Sequence, residues 1–207
     1  MCIRHRSTGS VYIIDSRNNR IQKFTKDGQF LAKWGQQGSG DGEFDMPWGI
    51  GLDGEDNVYI ADWRNDRIQK FAPDGSFLMK FGESGSEDGQ FNRPADVAVD
   101  KEGLIYVADW RNDRVQVFDA DGRFITGIIG DATLSKWGIT KLDANPDMKM
   151  QRDIAQGLER EKFLRGPMGV VVDDQDQVFI VDSQRTRIQI YRKLPPFFVG
   201  LYDGGRL

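Results

Sequence analysis

The sequence predicts an all-β fold built from four-stranded antiparallel blades, and three observations carry that prediction. The stretch ADWRNDRIQKF at Ala61–Phe71 recurs as ADWRNDRVQVF at Ala108–Phe118, displaced by 47 residues. Fainter copies, IDSRNNRIQKF at Ile14–Phe24 and VDSQRTRIQIY at Val181–Tyr191, bring the number to four. Inside each copy, short apolar runs alternate with Gly, Asp, Asn and Pro turn chemistry, and no helix fits between them. A repeat of this length marks a supersecondary unit that cannot bury its apolar faces alone.

The second copy is the clearest. Its runs are Gly49–Asp53, Val58–Ala61, Arg67–Phe71 and Phe77–Phe81, joined by hairpin turns. The third repeats them at Val97–Asp100, Ile105–Ala108, Arg114–Phe118 and Phe124–Ile128. The first copy supplies the later three strands. Its first strand would fall near Cys2–Arg6, where Arg4, His5 and Arg6 replace an apolar run. The last strand of the fourth copy is expected at Phe197–Tyr202. Blades are therefore expected over residues 1–35, 47–82, 94–129 and 167–203, with an insertion at 131–166, all within one domain of 1–207.

Strand periodicity says how the sheets pack. Ile68 and Phe71 lie three apart and so point to opposite faces, as do Val115 with Phe118 and Ile188 with Tyr191. A sheet with one wet face would alternate apolar and polar residues. These sheets want cover on both sides, which stacking in a ring or arc supplies. Gly51 and Ala98, at equivalent places in their first strands, are expected near the crowded axis.

The residues Pro47, Gly49, Asp53, Tyr59, Asp62, Asn65, Arg67, Gln69, Phe71 and Gly75 form a pattern that resembles the NHL repeat of β-propellers. The third copy matches at Pro94, Asp100, Tyr106, Asp109, Asn112, Arg114, Gln116, Phe118 and Gly122. The fourth matches through Pro167, Gly169, Asp173, Asp182, Arg187 and Gln189, but carries Arg185 at the Asn position and Tyr191 at the Phe position. The resemblance implies a propeller, usually of about six blades. Four copies then mean either a piece of a longer propeller or a four-blade arc. An arc exposes apolar faces and strand edges at its ends, so the expectation is an incomplete chain or self-association through those ends.

Composition narrows the partners. With Lys+Arg 28 against Asp+Glu 32, the net charge is −4, which argues against broad attraction to nucleic acid. A single cysteine, Cys2, rules out a disulfide framework. No apolar run reaches membrane-spanning length, and the first residues lack a hydrophobic signal core, so no membrane partner is expected.

Connections should alternate between two rims. The turns Arg17–Asn19, Trp63–Asp66, Trp110–Asp113 and Ser183–Thr186 share a rim with the variable connections Gln36–Met46, Glu83–Arg93 and Asp131–Gly166. Variable loops on a rigid scaffold are where sites are placed. The candidate binding rim comprises Arg17, Trp63, Arg64, Trp110, Arg111, Asp45, Asp96 and Trp137. Trp63 and Trp110, each beside an arginine, suit ring stacking, although packing between blades is favoured for repeated positions. The Gly38–Glu43 segment reads as a flexible rim turn, and Asp173–Asp176 as an ordinary strand connection. Within the insertion, Asn145-Pro146 starts an amphipathic helix over Pro146–Lys162, with Met150, Ile154 and Leu158 in one stripe. A lid packed on the rim is favoured over a partner-binding helix.

Asp15, Asp62, Asp109 and Asp182 each precede an arginine by five residues, which points to a turn-bracing ion pair. The resemblance also brings lyases that hold zinc with histidines, and lactonases that hold calcium with carboxylates and amides. With His5 as the one histidine, the zinc set cannot be assembled, and no spacing singles out Asp45, Asn92 and Asp96 for calcium. No catalytic residue, metal site or cofactor is expected. The favoured reading is a non-catalytic scaffold that binds a protein or other macromolecule through its loop-bearing rim. The alternative is a metal-dependent propeller hydrolase or lyase whose site is incomplete in this chain.

Overall fold

The computed structural model describes residues 3–5, 9–131, 140, 143–154, 160, 162–194 and 197–200. Four antiparallel sheets follow one another along the chain, each with its strands in sequence order. The first contains β1 (Ile3–His5), β2 (Ser10–Asp15), β3 (Arg20–Thr25) and β4 (Phe30–Trp34). The second contains β5 (Pro47–Leu52), β6 (Val58–Asp62), β7 (Arg67–Phe71) and β8 (Phe77–Phe81). The third is β9 (Pro94–Val99), β10 (Ile105–Asp109), β11 (Arg114–Phe118) and β12 (Phe124–Ile128). The fourth is β13 (Pro167–Val172), β14 (Gln177–Asp182), β15 (Arg187–Leu194) and β16 (Phe197–Gly200). Among the described residues of the long insertion, a nine-residue helix, α1, runs over Pro146–Ile154.

The first sheet has the strand that side-chain polarity argued against. Ile3 pairs with Ile13 and His5 with Val11, because a ladder is made by backbone groups and tolerates Arg4 and His5 at an edge. Strand β16 begins at Phe197 as expected, while residues 201 and 202 lie outside the described residues.

The core sits between the sheets, not within any one of them. Tyr12, Ile14 and Ile21 of the first sheet meet Ile50, Val58, Ile60 and Phe71 of the second. Tyr59, Ala61 and Ile68, from the second sheet's other face, meet Val97, Ile105, Val107 and Phe118. Tyr106, Ala108 and Val115 then meet Val170, Val178, Ile180 and Tyr191. Ile68 and Phe71 thus enter different clusters, as a three-residue separation on a strand requires. Each connection adds one plug, namely Phe44, Phe91 and Leu164. The glycine before each plug leaves room for it. A Cβ at Gly35, Gly82 or Gly130 would lie 2.5, 2.3 or 2.6 Å from Phe44, Phe91 or the Leu164 backbone. The inner strands also approach closely, since a Cβ at Gly51 would lie 2.6 Å from the Val97 carbonyl oxygen. Gly51 therefore stands at the crowded axis, with Ala98 buried beside it.

A repeated polar set locks each connection to the sheet that follows. Arg67 Nε donates to Asp62 Oδ2 at 2.9 Å, and its other nitrogens donate to the carbonyls of Ser39, Gly40 and Glu43. Asn65 donates to the Gly38 carbonyl and Gln69 to that of Glu43. Asp62 Oδ1 accepts the Asp45 N–H. In the third sheet Asp109, Asn112, Arg114 and Gln116 hold the preceding connection in the same way. In the fourth, Arg185 stands in for asparagine and donates to the Arg160 carbonyl. The Gly38–Glu43 turn is therefore pinned, correcting the expectation of flexibility.

Asp62 and Asp109 are fully buried, and that burial pushes both carboxyls above the ordinary range despite the adjacent guanidinium groups. Removing the partner of such a pair leaves an uncompensated buried charge. Arg67→Met is expected to cost about 3–5 kcal/mol in denaturant unfolding. The corresponding Arg20→Met, at a pair that is about a third exposed, should cost at most about 1 kcal/mol. Equal losses would refute the bracing role of the covered pair.

Burial raises Tyr191 to about 12. An unfolded tyrosine ionises near about 10, so this stabilisation is complete below that pH and is lost as pH rises towards 12. Absorbance titration of Tyr191→Phe should lack one phenol that ionises in that late range.

A candidate binding rim

Single 3-10 turns at Ser16–Asn18, Trp110–Asn112 and Ser183–Arg185 join the two middle strands of the first, third and fourth sheets. A residue with positive φ follows each (Asn19, Asp113, Thr186), and Asp66 does the same in the second sheet. Asn19, Asp66 and Asp113 accept the backbone N–H of Met46, Arg93 and Gly166, each at 2.7 Å. The N–H groups of Arg64, Arg111 and Gln184 donate to the Asp45, Asn92 and Arg165 carbonyls. Middle-strand turns and inter-sheet connections are thus bonded into one rim, as the alternation of strands required.

On that rim three indoles form a ladder. Trp48 and Trp63 have ring centroids 5.8 Å apart at 35°, and Trp63 and Trp110 are 6.1 Å apart at 36°. The Arg93 guanidinium lies 5.0 Å from the Trp63 ring, and that of Arg111 lies 5.4 Å from Trp110. Such tilted stacks and cation–π contacts are attractive through the ring quadrupole. Trp63 and Trp110 therefore do pack across neighbouring blades, while Trp48 remains 40% exposed at the end of the ladder. Trp48 and Arg93 were absent from the expected site. The available signal was departure from the repeat, since Ala95 and Met168 occupy the positions equivalent to Trp48.

The remaining candidates are placed as follows. Arg64 is exposed and lies 3.7 Å from Asp45, so these charges face each other. Arg17 is exposed on the first sheet's turn. Asp96 is buried on β9, where its Oδ2 accepts the Val170 N–H at 3.2 Å, tying the third sheet to the fourth. On the inner strand this carboxylate acts as a strut between sheets. Trp137 lies outside the described residues.

Asn145 caps α1 through its side chain and carbonyl, which receive the Met148 and Lys149 N–H groups. The helix is described only as far as Ile154, and residues 155–159 and 161 lie outside the described set. Met150 is 58% exposed and Ile154 is 70% exposed. The apolar stripe therefore points to solvent, which overturns the lid reading for this part of the insertion.

A concavity of about 440 Å³ opens among the inner strands, lined by Gly51, Val97, Asp100, Val171, Asp173 and Asp174. Two of its carboxylates serve the turns. Asp100 accepts the N–H groups of Glu102 and Leu104 and pairs with Lys193, and Asp173 accepts those of Gln175 and Gln177. Among the described residues no cluster of three His, Cys, Asp or Glu side chains is placed to hold a metal ion. No helix among them is long and apolar enough to cross a membrane.

Sheets of this form, stacked about shared inner strands, define an open β-propeller. The resemblance to NHL-repeat β-propellers is borne out by family-model matches over parts of the chain. A family model described as NHL repeat matches residues 91–118, and one described as 6-bladed beta-propeller matches residues 5–80. No curated protein matches the sequence. Among solved structures, a streptogramin B lyase is similar at TM-score 0.63 and 14% identity, over 99% of this chain and 55% of that one. Virginiamycin B lyase from Staphylococcus aureus is similar at 0.60 and 13%, over 98% and 55%. The RRP9 WD40 repeats are similar at 0.61 and 9%, over 94% and 48%. The chain spans about half the length of these structures, and identities this low show the fold alone.

Stacked indoles couple electronically and lose mobility. Trp63→Leu should abolish most of the near-ultraviolet circular dichroism of tryptophan, because it removes the middle ring. Retention of the full signal would place the rings apart.

Proposed function

We propose that this chain is a non-catalytic scaffold, its four blades and insertion forming one domain, that binds a protein through the loop-bearing rim. The observation that carries this reading is the Trp48–Trp63–Trp110 ladder flanked by Arg93 and Arg111. Tryptophan and arginine are the residue types enriched at the anchoring points of protein interfaces, tryptophan because it contributes large contact area at little conformational cost. The exposed Met150 and Ile154 on α1 add an apolar edge within the same insertion-bearing rim. Charges around it are mixed, with Arg64 facing Asp45, which favours a protein over a polyanion.

The rival reading, a metal-dependent lyase or hydrolase, draws support from the fold likeness to streptogramin B lyase and from the inner-strand concavity. A thermal shift with calcium or zinc, lost in Asp174→Asn, would favour it. The scaffold reading expects no such shift.

Capture experiments with the purified chain test the scaffold. A protein retained by wild type should be lost by at least about tenfold in Trp48→Ala and in Arg93→Ala. It should be retained by Lys101→Ala, which alters an exposed lysine outside the rim. Equal capture by all three variants would refute the rim assignment.

A further inference from the structure

Among the described residues the interface that joins the sheets occurs three times, and each half of a fourth copy is left uncovered at opposite ends. Every internal interface has a donating face and a receiving face. The donating face is Tyr12, Ile14 and Ile21 in the first sheet, and Tyr59, Ala61 and Ile68 in the second; all are buried. In the third sheet Tyr106, Ala108 and Val115 are fully buried in the same role. The equivalent positions in the fourth sheet are Phe179, Val181 and Ile188. Val181 is 43% exposed, Ile188 is 61% exposed, and neighbouring Val171 on β13 is 44% exposed. A groove of about 490 Å³ runs over this face, lined by Val181, Ser183, Thr186, Arg187 and Ile188. The residue that clamps the next connection is also idle here. Asn19, Asp66 and Asp113 each hold a backbone N–H of the following segment, whereas Thr186 Oγ1 donates only to the adjacent Arg185 carbonyl.

The receiving half lies on the first sheet. Val58, Ile60 and Phe71 are buried in the second sheet, and their equivalents Val11, Ile13 and Phe24 are only half-buried. Asn18, Arg20 and Gln22 converge on Asp15, as Asn65, Arg67 and Gln69 converge on Asp62. In the second sheet those three side chains also hold four carbonyls of the preceding connection. Among the described residues nothing lies across them in the first sheet.

The two open faces therefore match each other by register: apolar positions against apolar positions, and a spare set of backbone-carbonyl donors beside a sheet end. We propose that the fourth sheet of one chain stacks on the first sheet of a second copy, head to tail, repeating the interface that joins the sheets within the chain. Such an interface is heterologous. It closes into a ring where the rotation permits and otherwise continues to higher oligomers.

The whole chain in sedimentation velocity over a concentration series tests this. Wild type is expected to associate as concentration rises. Ile188→Glu, on the donating face, should weaken association by roughly tenfold or more, as should Ile13→Glu on the receiving face. Gln22→Ala, which leaves the apolar strands intact, provides a second receiving-face variant and should show a loss of the same sign. Mixing Ile188→Glu with Ile13→Glu should restore a one-to-one complex, because each variant keeps the half that the other lacks. Wild type that stays monomeric at every concentration, as when a further sheet of a longer polypeptide covers these faces, would overturn the proposal. Association through two copies of the same face would also overturn it, because Ile13→Glu would then have no effect and mixing would rescue nothing.

Discussion

The fold depends on the contact between each inter-sheet connection and the Asp–Arg pair of the sheet that follows. A carboxylate and a guanidinium taken out of water lose several kcal/mol of hydration each, and their mutual attraction alone seldom recovers it. Here the carboxylate also receives a backbone N–H, an amide and a second amide, while the guanidinium spends its remaining donors on carbonyls of the connection. Those carbonyls belong to a tight turn outside the four-stranded sheets, so the pair and the turn satisfy each other. The first sheet shows the contrast. Its Asp15, hydrogen-bonded by Asn18 and paired with Arg20 but left uncovered, is held below the ordinary carboxylate range, whereas covered Asp62 and Asp109 are pushed above it. The same four side chains therefore report whether a connection lies over them.

Because the clusters lie between sheets, each sheet contributes both faces to a neighbour, and the stability of any one blade is shared with the next. The plug residues Phe44, Phe91 and Leu164 couple this packing to the rim, since they sit in the connections that the polar set holds. Rim geometry is thus fixed from below by apolar packing and from the side by hydrogen bonds. A ladder of three indoles on such a support is held in place by the fold itself.

Much of this architecture was legible in the sequence because it is repeated. The period placed the strands, the three-residue offset of Ile68 and Phe71 assigned their faces, and the five-residue offset of Asp62 and Arg67 announced the pair. Two kinds of feature were not legible. Strand β1 escaped because polarity was read from side chains, whereas its ladder with β2 is formed by backbone groups. The solvent-facing stripe of α1 escaped because helical periodicity reveals that a face is apolar without revealing what lies opposite it. The site was only half visible. Trp63 and Trp110 belong to the repeat, but the residues that complete the stack, Trp48 and Arg93, occur once each in their positions.

That asymmetry separates architecture from function in a repeat protein. A side chain present in every copy is explained by the contact that every copy must make, and Asp62 with its equivalents needs no further account. A side chain present once has no such explanation and must be justified where it stands. Asp96, where other copies carry Gly49 and Gly169, is justified by the N–H that it receives from Val170 of the adjacent sheet. Trp48, where other copies carry Ala95 and Met168, has one face on Trp63 and the other open to solvent. An exposed indole at an otherwise tightly determined position gains little for the fold, since the apolar surface it leaves in water offsets its stacking. Of these two departures from the chain's own period, Asp96 ties sheets together and Trp48 faces outward, which is why the proposed scaffold role is assigned to the rim.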